Sequence, residues 1–175
     1  MQKIKATPTS YKGQNFKSKS EAIFARLLDL RQFTWEYEPL HYAFESYVPD
    51  FHVVFESKPD HRLVQFIIEY KPCSPSPMYL HKFNNYVSYL DKINHNIPIQ
   101  PLIVYGNFFQ SPVKLMCIGY CSENLFKHFW EGENYYGKKE YFKLNNIYRE
   151  QPHDFKFFDQ SQISQARKYR FDLKQ

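Results

Sequence analysis

Tyr47-Val-Pro-Asp-Phe-His-Val-Val-Phe-Glu-Ser-Lys-Pro-Asp-His-Arg-Leu-Val-Gln-Phe-Ile-Ile-Glu-Tyr-Lys-Pro72 is the stretch on which the reading of this chain turns. Two apolar runs flank a charged turn and predict a hairpin of strands over Asp50–Glu56 and Leu63–Lys71. Phe66-Ile-Ile is apolar at successive positions, the pattern of a strand buried on both faces. Asp50 opens the first run, and Glu69 and Lys71 close the second. Residues two apart on a strand share a face, so Glu69 and Lys71 point together while Tyr70 turns to the opposite side as core. Two carboxylates and an ammonium at one mouth of a hairpin suit a hard divalent cation, Mg2+ or Mn2+. The plainer readings are a strand-opening Pro-Asp turn at Asp50 and a same-face salt bridge between Glu69 and Lys71. Charges that end a buried strand favour the site over decoration. His52 alternates with Asp50, and a lone strand histidine is more often structural than functional.

Upstream of this hairpin, Ile23, Phe24, Leu27, Leu28 and Leu30 make a helical stripe, which predicts a helix over Lys19–Arg31. Ser18 and Glu21 have the spacing of a capping box, so Glu21 has an ordinary structural use there. Trp35 and Tyr37 predict a strand over Thr34–Glu38, with a continuation near His41–Glu45 beyond the interruption at Pro39. Downstream, Cys73-Ser-Pro-Ser-Pro breaks the sheet. A helix is predicted over Tyr79–Asn94, then strands over Leu102–Gly106 and Val113–Tyr120. A short helix is predicted over Ser122–Trp130 and a basic one over Ser161–Arg170. A helix between the third and fourth strands is a crossover that sets those strands parallel. The expected fold is therefore α/β, an α+β arrangement of a mixed sheet flanked by helices. It divides into a basic, irregular N-terminal arm at 1–15, a core at 16–130 and a C-terminal extension at 131–175, either packed on the core or free for a partner.

At 175 residues, with 43% hydrophobic and 23% charged residues, the chain has the composition of a protein with a sizeable core. Its net charge of +5 fits a polyanionic partner without requiring one. Aromatic residues make up 19%, which base stacking could use and which AT-rich codons would equally produce. Three cysteines at irregular spacing argue against a disulfide framework and for a reducing compartment. Cys117, Cys121 and His128 lack both a C-x2-C pair and a fourth ligand, so a zinc set is not expected there. The first residues lack an apolar leader core. The run His95–Val113 is broken by three prolines, so no membrane span is expected. Lys17 and Lys19 in the N-terminal segment, Lys82 on the second helix, and Arg167, Lys168 and Arg170 in the last helix are candidate nucleic-acid contacts. Solvated surface is the alternative for each.

Glu21 inside a helix, Tyr37-Glu-Pro39 preceding a strand, Tyr47-Val-Pro-Asp-Phe51 opening a hairpin and Ile68-Glu-Tyr-Lys71 closing it resemble the PD-(D/E)xK nuclease superfamily, with its restriction-endonuclease-like core. The likeness covers about 16–106. It is similar in layout to small phage and mobile-element endonucleases and to the end-cleaving subunit of heteromeric transposases. Their shared order, with Asp50 and Glu69 separated by 19 positions, is more specific than either motif alone. The resemblance implies Asp50, Glu69, Lys71 and Glu21 as catalytic residues. It implies Asp50, Glu69, the Tyr70 backbone carbonyl and Glu21 as ligands of Mg2+ or Mn2+. It also implies a DNA endonuclease of phage, transposon or defence origin in the cytoplasm of a bacterial or phage-infected cell, acting on DNA as a homodimer or within a larger nucleoprotein complex. The alternative is a catalytically inactive nucleic-acid-binding or assembly protein of a transposition or recombination complex. Pro72 departs from the pattern, since many relatives carry glycine after the lysine.

Overall fold

The computed structural model describes residues 6–56, 63–90, 92–93, 99–111, 113–121, 148–149, 153–154 and 158–173. Its N-terminal part corrects the expectation of an irregular arm. Thr9–Tyr11 (β1) and Gln14–Phe16 (β2) pair antiparallel across Lys12 and Gly13, whose φ angles are +50° and +79°. Left-handed backbone at both central positions matches the right-handed twist of a two-residue hairpin, and glycine supplies the second at little steric cost. Tyr11 and Phe16 are buried, so the hairpin is tied down by its aromatic residues.

Helix α1 spans Lys19–Leu30. The Ser18 hydroxyl accepts from the Glu21 N–H at 3.2 Å and starts it. Gln32 just beyond the end is left-handed, φ +59°. Strand β3 spans Thr34–Tyr37. The strand continuation expected near His41–Glu45 is absent. Glu38 is left-handed at φ +49°, Pro39 has no N–H to give a ladder, and Leu40–Tyr42 close one 3-10 turn. The alternation of aromatic residues there reflects a turn packed by its rings, with His41 and Tyr42 centroids 4.4 Å apart.

Strands β4 (Phe51–Glu56) and β5 (Leu63–Lys71) form the expected hairpin, and α2 (Pro77–Leu90) follows. Strand β6 (Ile99–Tyr105) begins three residues earlier than its apolar core suggested, and β7 spans Met116–Cys121. Short strands β8 (Tyr148–Arg149) and β9 (His153–Asp154) both pair with β7. Helix α3 spans Gln160–Lys168, and β10 (Asp172–Leu173) pairs with β1. The helix expected over Ser122–Trp130 lies outside the described residues.

The main sheet runs β3-β4-β5-β6-β7-β8. Strands β5 and β6 are parallel, with α2 as their crossover, and the other neighbours are antiparallel. The fold is thus a mixed sheet with helices on both faces, as expected. On one face Phe51, Val53, Phe66, Ile68, Tyr70, Leu102 and Val104 meet α1, α3 and the first hairpin. On the other, Ile67, Ile103 and Ile118 meet Phe83, Tyr86, Val87 and Leu90 of α2. Each wholly buried side chain of this size contributes roughly 1.5–3 kcal/mol through the apolar surface it removes from water. The C-terminal segment is bound into this core: Phe158, Ile163 and Ala166 are buried, and α3 packs on α1.

Candidate active site

The end of β5 is positioned from both sides. Phe51↔Ile68 is the last pair of the β4–β5 ladder, so the Tyr70 N–H lies past the end of its neighbour. The Asp50 carboxylate takes that place, and its Oδ2 accepts from the Tyr70 N–H at 2.9 Å. The Asp50 carbonyl accepts from the Glu38 N–H, also at 2.9 Å. One residue thereby bridges the start of β4, the end of β5 and the turn after β3. On the other edge of β5, Gly106 N–H donates to the Lys71 carbonyl at 2.9 Å. A Cβ at Gly106 would lie 2.3 Å from the Lys114 carbonyl oxygen, so only glycine fits this close approach.

Asp50 and Glu69 are 8% and 4% exposed. Glu69 Oε1 pairs with the Lys71 ammonium, and Glu69 Oε2 accepts from the Tyr47 hydroxyl at 2.6 Å. Lys71 Nζ also stands 4.7 Å from the centre of the Tyr79 ring. The two-residue alternation therefore acts as expected: Glu69 and Lys71 meet on one face. Tyr70 lies on the other, its ring between Phe24 and Phe108 and its hydroxyl donating to the Gly106 carbonyl at 2.6 Å.

Burial pushes the Asp50 carboxyl well above the usual carboxylate range. The charge of Glu69 adds to the rise, Lys71 offsets part of it, and Glu21 adds again. For Lys71, burial pulls the ammonium down, but Glu69 and Asp50 together pull harder and leave it above the ordinary lysine value. Burial, reinforced by Glu69, raises the hydroxyls of Tyr47 and Tyr79, so both stay neutral, with Tyr47 the one that donates to Glu69. Three carboxyl groups, Asp50, Glu69 and Glu21, act here against one partly buried ammonium. Oxygen donors in such a place fit a hard divalent cation, whose charge would reverse the rise at Asp50.

Glu21 resolves differently from a closed capping box. Its N–H goes to Ser18, but its carboxylate Oε2 accepts from the Tyr37 hydroxyl at 2.6 Å. Its charge raises both Asp50 and Lys71. Tyr37 is held in turn, since its hydroxyl oxygen accepts the Lys17 N–H at 3.2 Å.

Sequence reasoning gave no role to Glu38, Tyr47 or Tyr79. Glu38 pairs with the Lys17 ammonium and anchors the Asp50 backbone. Both Tyr47 and Glu38 stood within the quoted motifs, so the signal was present as residues of the right type beside Pro39 and Pro49. Lys17, expected as a nucleic-acid contact, is exposed; its bond to Glu38 overcomes partial burial and raises it, with Asp50 and Glu21 adding. Lys82 is exposed on α2 with Nζ 5.3 Å from the Tyr47 ring centre, beside the cluster. Lys19 is half-buried in the first turn of α1, and Arg167, Lys168 and Arg170 are exposed at the end of α3. His52 Nε2 meets Gln65 Oε1 at 2.7 Å rather than an acid of the cluster. Cys117 is buried in the core, and His128 lies outside the described residues. No described helix is long and apolar enough to cross a membrane. Comparisons with known protein families, characterised proteins and solved structures find no match to this chain.

Proposed function

We propose that this chain is a divalent-metal-dependent DNA endonuclease with a restriction-endonuclease-like core, of phage, transposon or defence origin. The observation that carries the reading is the convergence of buried Asp50 and Glu69 with Lys71 at the end of β5, with Asp50 raised by its burial and then by the charge of Glu69. Asp50 and Glu69 would hold Mg2+ or Mn2+, with the Tyr70 carbonyl and Glu21 completing the set. When bound, such an ion supplies an activated water and neutralises charge at the phosphate. Lys71 holds a proton and a positive charge where the phosphate would lie, and so orients the attacked group. Tyr47 fixes the Glu69 carboxylate, and Tyr37 fixes that of Glu21. Lys17, on which the charges of Asp50 and Glu21 act, and Lys82, over the Tyr47 ring, are basic groups beside this end, with Lys19 in the first turn of α1. Arg167, Lys168 and Arg170 offer a further cationic strip for the DNA backbone, whose engagement would be salt-dependent.

The purified chain should nick or cut supercoiled, linear or branched DNA with Mg2+ or Mn2+ and not with EDTA. Asp50→Asn, Glu69→Gln and Lys71→Ala should each lower the rate by about a hundredfold or more, the scale of removing one transition-state stabiliser. Cleavage by all three variants at the parent rate would sink the assignment.

A second reading has its own observation. Both Glu69 oxygens and Asp50 Oδ2 already have protein partners. A cluster so satisfied suits a non-catalytic DNA-binding or assembly protein of a transposition or recombination complex. Salt-dependent DNA binding with no metal-dependent cleavage, alone or with partner subunits, would favour it.

A further inference from the structure

A second group of ligating side chains lies on the same strands and is not used by the acidic cluster. Glu36 on β3 and His52 on β4 are direct cross-strand partners. Register therefore places them side by side on one face, a few ångströms apart. The 3-10 turn after β3 brings His41 over them, with its Nδ1 3.7 Å from Glu36 Oε2. One ligand atom from each of Glu36, His41 and His52 lies within 4.8 Å of the others.

We propose that Glu36, His41 and His52 form a binding site for a divalent transition-metal ion of the Zn2+ class, separate from the acidic cluster at Asp50 and Glu69. Two imidazoles and a carboxylate are the donor set of open zinc sites, in which water fills the remaining position. Imidazole nitrogen favours Zn2+, Co2+ or Ni2+ over Mg2+, so this site and the all-oxygen cluster select different ions.

The surroundings of His52 support the assignment. The Gln65 carboxamide oxygen can only accept, so His52 Nε2 carries the proton and the other ring nitrogen keeps its lone pair. Ligating histidines are usually oriented by an acceptor at the far ring N–H, a carboxylate, a backbone carbonyl or water, and the Gln65 amide oxygen takes that place here. The Tyr42 hydroxyl donates to the same Gln65 oxygen at 3.3 Å and packs its ring 4.8 Å from that of His52. Two ligands thus come from a rigid ladder and the third from a turn. A bound ion would clamp the 3-10 turn onto β3 and β4, the segment that carries Glu38, Tyr47 and Asp50.

The test is titration of chelator-stripped protein with Co2+ in the presence of excess Mg2+, followed by visible absorption. One equivalent should bind with the d–d bands of a low-coordinate site. Its Kd should rise at least about tenfold in His41→Ala, in Glu36→Gln and in Gln65→Ala, the range seen when ligands or their orienting partners are lost. His41 is exposed, so its substitution leaves the fold intact, as far-ultraviolet circular dichroism should verify. In Asp50→Asn the bands and affinity should be unchanged. Absence of bands at saturating Co2+, or the parent affinity in His41→Ala, would overturn the proposal. So would loss of binding in Asp50→Asn, which would assign the ion to the acids instead. None of these results depends on whether the chain cleaves DNA.

Discussion

Asp50 stands at the start of strand β4 and His52 two positions on, and their surroundings differ. Asp50 belongs to a buried group whose charges face one another, with Glu69 on β5 beneath the Tyr47 hydroxyl and Lys71 as the balancing cation. His52 belongs to an open group, with Glu36 and His41 both exposed. Water screens the second group, so its charges can stand close at little cost. In the first, burial multiplies every interaction, and a charge without a partner is expensive. The same hairpin thus presents one place where a charge must be matched and another where it need not be.

Removal of Lys71 should break this comparison most sharply. Lys71→Ala leaves Glu69 buried without its cation. It should cost roughly 3 kcal/mol, the low end for a broken buried pair, because the Lys71 side chain is still 30% exposed. Urea denaturation at neutral pH without divalent ions measures it. A loss under about 1 kcal/mol would mean that water reaches Glu69 freely and that the buried and open groups are alike.

The pH dependence of Asp50 comes next. Its folded pKa lies above the ordinary aspartate value. Between those two values the folded chain holds a proton that the unfolded chain has released. Asp50 therefore contributes a stability that falls as pH rises through that window. Unfolding midpoints of the parent and of Asp50→Asn, compared from about pH 5 to about pH 8 in EDTA, should diverge as pH rises, with the variant the more stable. Mg2+ should narrow the gap, because an ion bound by the charged form offsets its cost. A gap that is flat with pH, or one that opens in the other direction, would contradict the burial argument.

The smallest effect concerns whether Glu21 belongs with the buried acids or with the helix end. Ser18→Ala removes the observed cap and should cost about 1 kcal/mol. Glu21→Gln keeps the backbone N–H that Ser18 accepts and an oxygen that can still accept from Tyr37, and should cost about 1 kcal/mol or less. If Glu21 serves the site, the same variant lowers metal-dependent cleavage well beyond that stability change. Equal loss of activity in Ser18→Ala and Glu21→Gln would return Glu21 to a capping role.

Much of this was legible because strand periodicity is short and strict. The alternation across Glu69, Tyr70 and Lys71 needed only the pleat, and it correctly set Glu69 and Lys71 together and Tyr70 in the core. The crossover between β5 and β6 followed from one apolar helical stripe. The early hairpin was missed because three-residue strands carry too little pattern and Lys12-Gly13 lies among other turn formers. The segment His41–Glu45 was misread because its aromatic residues alternate, although the left-handed Glu38 and Pro39 had already turned the chain. The Glu36, His41 and His52 group was invisible for a related reason: His41 joins it only through that turn.

The sequence by itself determined the hairpin, the mixed sheet with helices on both faces and the facing of Glu69 with Lys71, since these depend on periods of two and 3.6 residues. Tertiary structure alone decided that Asp50 would take the Tyr70 N–H, that Tyr47 and Tyr37 would each hold a glutamate, and that Glu38 would tie the turn to Asp50. These contacts join residues far apart in the chain. No local preference encodes them; they exist only once ladder register and packing have brought the ends of β3, β4 and β5 together.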